Sequence, residues 1–279
     1  MVTIEYTLTS DSETHTQEIS DFATLRTFIS NSRTTLKTIK VSGKLSASIS
    51  TLFSGCTSVE SINLSNLDVS EVTNMSDMFY NCTSLKSLNL KNFNTSNVTT
   101  MQKMFNCCAS LTSLDLSSFN TSKVTNMGSM FAGNNSTAMS LKSIIGIDDF
   151  DTSNVTTMQS MFGFCSSLTS LDLSSFNTSK VTSMGSMFVK CTNLKTIYSC
   201  DWDVSNVSTD MNMFYGCTNL KGAISYDSSK QTKDYANVSG YFTERRKIKT
   251  NKVEIDKIYF NNTLVKKVYF NENLVYDKT

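Results

Sequence analysis

Thiols, carboxylates and amides recur along this chain at a fixed step, and the step decides which chemistry they could do. Six of the eight cysteines, Cys56, Cys82, Cys108, Cys165, Cys191 and Cys217, each stand three residues after a Phe, mostly 26 residues apart. A metal centre or a disulfide framework would use thiols, but this spacing matches no CxxC zinc pattern. Equivalent positions on stacked coils lie roughly 5 Å apart with side chains pointing the same way. A column of buried, reduced thiols packing as small apolar residues is therefore expected. Asn134 holds the slot in one coil.

Glycoside hydrolysis needs two opposed carboxylates, and Asp115 and Asp172 occupy equivalent positions on coils roughly 10 Å apart. Their copies elsewhere are Asn63, Asn89 and Tyr198, which makes a repeated stripe and not a tuned acid pair. No catalytic residue, metal or other cofactor is expected. A second column, Asp68, Asn94, Asn120, Asp151, Asn177 and Asp203, has a Ser two residues after each member. Stacked oxygens could collect calcium, but half of these positions are amides, so an Asx ladder satisfying backbone groups is expected. Pairs of Met, from Met75 and Met78 to Met211 and Met213, read as core filler and not as a copper or haem stripe. His15, the one histidine, lies in a polar segment with no nucleophile pattern near it.

The elements that must place these residues follow from an internal repeat. LTSLDLSSFNTSKVTNMGSMF, residues 111–131, returns almost unchanged at 168–188, and Phe53, Phe79, Phe105, Phe131, Phe162, Phe188 and Phe214 close the copies. Such a period signals a solenoid whose coils bury their apolar faces by stacking. Leu111, Leu114 and Leu116 have the spacing of a short strand, whereas Val124, Met127, Met130 and Phe131 suit about one and a half helical turns. The expected fold is thus an α/β solenoid of leucine-rich-repeat-like coils, each a short strand plus a short helix. One step is 31 residues because GNNSTAMSLKSIIGIDDF adds a loop and a small bulge. Trp202 takes the place of a repeated Phe.

The ends depart from the repeat. Residues 1–35 read as an α+β cap, with alternating Val2, Ile4, Tyr6 and Leu8 and a helix capped at Ser20 or Asp21. The solenoid and its C-terminal cap span 36–243, a basic connector spans 244–252, and 253–279 read as a three-stranded β meander. In that tail KIYFNNTLVK is echoed by KVYFNENLVY. Three short strands leave open edges, so the tail is expected to pair with a partner chain, with itself or with the solenoid.

Net charge is +1, with 25 basic and 24 acidic residues and only 18% charged, so nucleic acid is not an expected partner. No window is apolar enough to insert in a membrane. The first twenty residues lack the basic start and apolar run of a secretory signal, so export by that route is not expected. The natural binding platform is the exposed strand face, with Asn63, Asn89, Asp115, Asp172 and Tyr198 along it and Lys91 and Ser117 beside them. The loop at Asn135 is a second candidate contact site.

The repeat LxSLDLSxFNTSxVTxMxxMFxxCxSL resembles that of BspA-like leucine-rich-repeat surface proteins over roughly residues 36–243. The resemblance implies a non-enzymatic adhesin that binds a cell-surface protein or glycan, and it carries no catalytic residue over. The ten-residue tail is similar to short C-terminal modules of phage virion proteins. That resemblance implies a virion-surface or tail-associated protein that meets virion structural partners, with a bacterial surface adhesin as the alternative.

Overall fold

The computed structural model describes residues 1–244, except 12 and 47, together with the four short strands of the tail. The elements in chain order are β1 (Val2–Leu8), β2 (His15–Ile19), α1 (Phe22–Asn31), β3 (Leu36–Lys44), β4 (Ser61–Asp68), β5 (Ser87–Asn89), β6 (Ser113–Asp115), β7 (Ser143–Ile145), β8 (Ser170–Asp172), β9 (Thr196–Ser199) and β10 (Phe242–Glu244). From β3 onward these strands pair in parallel, β3 with β4 with β5, β6 with β7, and β8 with β9 with β10. Within each coil Leu, Ile and Val alternate with polar residues, so one strand face enters the core. The result is a β-solenoid.

The helix expected in each coil is absent, and α1 is the one α-helix among the described residues. Its place is taken by a run of tight turns in which successive N–H groups go to different partners. Met75, Asp77, Phe79 and Asn81 donate forward to the carbonyls of Thr100, Gln102, Met104 and Asn106 of the next coil, at 2.8–3.1 Å. Between them Met78, Tyr80 and Cys82 donate back three residues within their own coil. Such alternation needs a left-handed residue every few positions, and Asp77, Asn81, Lys103, Ser129, Ser160 and Ser186 have φ of 54–58°. A left-handed residue stops an α-helix, yet the 3-3-1 spacing of apolar residues fits either geometry, which is why the spacing alone reads as helix. Each left-handed L-residue costs about 1–2 kcal/mol, close to the roughly 0.5–1.5 kcal/mol of the bond it frees. Burial has to decide the balance.

That burial comes from columns. The seven closing phenylalanines are fully buried and stacked, with ring centroids 5.5–5.8 Å apart and planes within 3–11°. Trp202 stacks on Phe176 at 6.2 Å in a second column, as its position in the repeat predicts. The six column cysteines are buried thiols, and those of Cys82, Cys108, Cys165, Cys191 and Cys217 each donate to a Phe carbonyl of the preceding coil at 2.9–3.2 Å. Burial pushes the Cys217 thiol up to about 12. The Asx column forms turns as expected: Asp68, Asn94, Asn120, Asp151, Asn177 and Asp203 accept from the N–H of the Ser two residues on, at 2.9–3.1 Å. Beside them Thr95 and Thr152 use one hydroxyl to bond both the N–H and the carbonyl of the Asn in the next coil. Two placements differ from expectation. Met211 is 73% exposed, because in its coil Asp210 takes the inward slot and Met211 falls one position out of phase. Asn134 is exposed outside the thiol column, and after the inserted loop Met139 returns to the core.

Both solenoid ends are covered. At one end the β1–β2 hairpin adds antiparallel to β3, and α1, capped by the Asp21 carboxylate on the Thr24 N–H at 2.8 Å, buries Leu25 and Ile29. At the other, Tyr241 and Phe242 meet Phe214 and Trp202 edge-on at 5.0 and 4.8 Å, ending the parallel stack. The tail is not a three-strand meander. It contains β11 (Ile258–Phe260), β12 (Thr263–Val265), β13 (Lys267–Phe270) and β14 (Asn273–Asp277), paired antiparallel as β11–β12 and β13–β14. The two described strands of each ten-residue copy therefore pair with each other. The basic connector expected at 244–252 lies outside the described residues apart from Glu244.

Two outcomes follow from these columns. Phe131→Ala, in the middle of the ring stack, should cost about 3–5 kcal/mol and split denaturant unfolding into two transitions, because coils meet only their neighbours. Asp68, Asp151 and Asp203 are held below the ordinary 3.8 by the Ser hydroxyl and then the Ser N–H in each turn. A lowered carboxyl stabilises the fold above its unfolded value, and that contribution is lost as pH falls through the folded value. Replacing all three by Asn, as three of the coils already do, should leave thermal unfolding at pH 7 nearly unchanged and flatten its decline as pH falls below the ordinary 3.8.

Candidate functional site

The structure does bring the strand-face residues into one row, and it also shows what holds them. Asn63, Asn89, Asp115 and Asp172 each turn Oδ1 back onto the N–H two residues on, belonging to Ser65, Lys91, Ser117 and Ser174, at 3.0–3.1 Å. The hydroxyls of Ser117 and Ser174 also donate to Asp115 and Asp172 at 2.7 Å. The Asp115 carboxyl is lowered by the Ser117 hydroxyl first and its N–H second. These side chains close the turn that ends each strand. Tyr198 lies beside Asp172 in register, half-buried, and Lys91 is exposed. Between Asp115 and Asp172 the row contains Ile145, which pairs with Asp115 and is 53% exposed. The repeat count had not placed Ile145 there because the added residues of its coil hide the alignment. Among the described residues no group of His, Cys, Asp and Glu is placed to hold a metal ion.

Asn135 lies elsewhere, on the rim where each ladder run turns into the next strand. A cleft of about 190 Å³ opens there, lined by Asn134, Asn135, Ala138, Phe164, Lys190 and Thr192, with Ser166 at its edge. Local chemistry builds the loop: the Asn134 side chain accepts from the Ser136 and Thr137 N–H groups at 2.8 Å, and its amide donates to the Cys107 sulfur at 3.2 Å. Gly133 permits the fold-back, since a Cβ there would stand 2.3 Å from the Thr137 carbonyl oxygen. From the neighbouring coils Phe164 and Lys190 reach the loop. The Lys190 ammonium donates to Asn135 Oδ1 at 2.9 Å and lies 5.6 Å from the centroid of the Phe164 ring.

The backbone makes this pair unusual. The position two after the closing Phe is left-handed in six of the seven coils, and Gly55, Asn81, Cys107 and Gly216 fill it elsewhere. Phe164 and Lys190 have φ of 60° and 54° at that position. A large side chain is the costliest choice there, and strain of this kind gathers at ligand sites. Inserted loop, cleft and strain thus coincide. The chain offers a half-buried ring, an ammonium, two amides and two hydroxyls around a shallow hollow, a set that can stack on an apolar face and hydrogen-bond hydroxyls or an anion. Sequence reasoning found the loop and missed Phe164 and Lys190. The signal was available, because aligned coils place them where Gly, Asn or Cys otherwise stands.

If the ring were needed for folding, its removal would destabilise the chain. Phe164→Gly, which copies Gly55 and Gly216, should instead unfold at the same temperature or higher, since it relieves about 1–2 kcal/mol of backbone strain. A lowered midpoint would make the ring structural.

No helix among the described residues is long and apolar enough to cross a membrane. No curated protein and no solved structure matches the chain. A family model described as "Mycoplasma protein of unknown function, DUF285" matches residues 47–145 and 136–255, together well over half of the sequence. The matched residues are the solenoid, its cleft and its C-terminal cap, and the chain belongs to that family.

Proposed function

We propose that this protein is a non-enzymatic binding protein that works at a surface, using the solenoid to contact a cell-surface protein or glycan. One observation carries the reading: Phe164 and Lys190 hold large side chains in left-handed backbone at a position that other coils give to Gly, Asn or Cys, and the inserted loop makes a cleft with both. Elsewhere the repeated polar residues close turns or bond the next coil. The Asp115 and Asp172 carboxylates each take a Ser hydroxyl and a Ser N–H, which leaves them poorly suited to act as acid and base.

The finer placing is a virion surface or phage tail, with the paired strands of the tail joining virion structural partners. It rests on the ten-residue repeat of that tail. A bacterial surface adhesin of BspA-like type is the second reading, and the family match favours it.

A glycan and matrix-protein array probed with the intact chain tests the reading. The wild-type chain should bind at least one class of target, and Phe164→Gly with Lys190→Asn should lose about tenfold or more in affinity. Tyr198→Ala, on the other face, should lose less. Equal binding by the cleft variant would contradict the proposal, and so would binding of nothing.

A further inference from the structure

The residue just before each solenoid strand, with its copies Lys37 in β3 and Lys221 beyond β9, forms a column along one rim of the sheet. In its N-terminal half are Lys37, Glu60 and Lys86, and there the charge is largely cancelled, with the Lys86 ammonium on the Glu60 carboxylate at 3.1 Å. In its C-terminal half are Lys142, Thr169, Lys195 and Lys221, all exposed and with no acid among them. Backbone bonds fix their alignment: Lys142 donates its N–H to Thr112 at 2.8 Å, Lys195 to Thr169 at 2.9 Å, and Lys221 to Lys195 at 3.0 Å.

The ammonium groups of these three lysines make no hydrogen bond or ion pair among the described residues. The lysines on the turn after the strand differ, since Lys123 and Lys180 donate to Asn97 and Asn154 side chains at 2.7 and 2.8 Å. The carboxylates that share the sheet face, Asp115 and Asp172, stand three residues further along their strands, roughly 10 Å away, and are turned onto serines. Lys142 and Lys195 are two coils apart, roughly 10 Å, and Lys195 and Lys221 one coil, roughly 5 Å. Beside them along the strands stand the hydroxyls of Ser143, Ser170 and Thr196.

A straight row of cations at that spacing, flanked by hydroxyls, fits a linear polymer with sparse anionic groups. A nucleic-acid strand carries a charge about every 3.4 Å, denser than these lysines could match. An acidic polysaccharide, with carboxylate or sulfate groups on some of its sugars, suits both the charge spacing and the hydroxyls. We propose that the Lys142–Lys195–Lys221 rim is a track for a linear acidic polysaccharide. It rests on the binding reading above and runs past the cleft, since Ser166 and Thr192 stand three residues before Thr169 and Lys195.

Binding of the intact chain to polygalacturonate and to heparin, at rising salt, tests this, with dextran and duplex DNA alongside. The expected result is salt-sensitive binding to one or both acidic glycans, which separates carboxylate from sulfate, and none to dextran. The triple variant Lys142→Gln, Lys195→Gln, Lys221→Gln should weaken that binding by roughly fivefold per lysine, about 100-fold together. The pair Lys123→Gln, Lys180→Gln should leave it unchanged. Equal loss in that pair would make the effect one of net charge and overturn the track, as would tighter binding to DNA or no binding to either acidic glycan. If the triple variant keeps acidic-glycan binding and Phe164→Gly loses it, the track is overturned and the cleft stands.

Discussion

In each ladder run, every second backbone N–H leaves its own coil for the carbonyl of the next, and the molecule depends on that exchange. It fixes the coil-to-coil spacing, and the spacing brings each closing Phe ring to within 6 Å of the next. The same exchange goes with left-handed backbone at eleven residues other than glycine in the ladder runs, a cost that its hydrogen bonds only about offset. Stability must therefore come from the apolar columns, as the closing rings, the column thiols and the ladder Met side chains other than Met211 are buried against their copies. An isolated coil would have the strain without the burial, which is the physical reason the chain repeats and the reason both ends need caps.

Regularity also uses up chemistry. Residues that could serve as ligands, nucleophiles or acids in another fold are bound into the stack here. Thiols donate to carbonyls, Asx oxygens take backbone N–H groups, and threonine hydroxyls bridge neighbouring coils. Surface function is left to departures from the repeat. The five added residues before Phe162, the bulky Phe164 and Lys190, and the unpartnered lysines at one rim are departures of that kind.

The sequence made the solenoid, its seven-ring column, the Asx turns and both caps legible, because each is a fixed residue type at a fixed step. It did not show that Met127, Met130 and Phe131 lie on tight turns, since their spacing suits a helical face equally well and only the left-handed Ser129 between them decides. Met211 was misplaced for a similar reason: a Met one position late looks like its inward copies until Asp210 is seen in their slot. In the candidate site, Asn135 was readable as an insertion. Its partners Phe164 and Lys190 belong to two other coils and meet the loop through stacking, so aligning the coils, and not reading the loop by itself, is what brings them out.

Amide hydrogen exchange on the intact chain tests the inter-coil ladder most directly. The account predicts that the N–H groups of Met101, Lys103, Phe105 and Cys107, and their copies in the central coils, exchange as slowly as those of β6 and β8. Exchange of these amides as fast as in exposed loops, with the strands still protected, would contradict it.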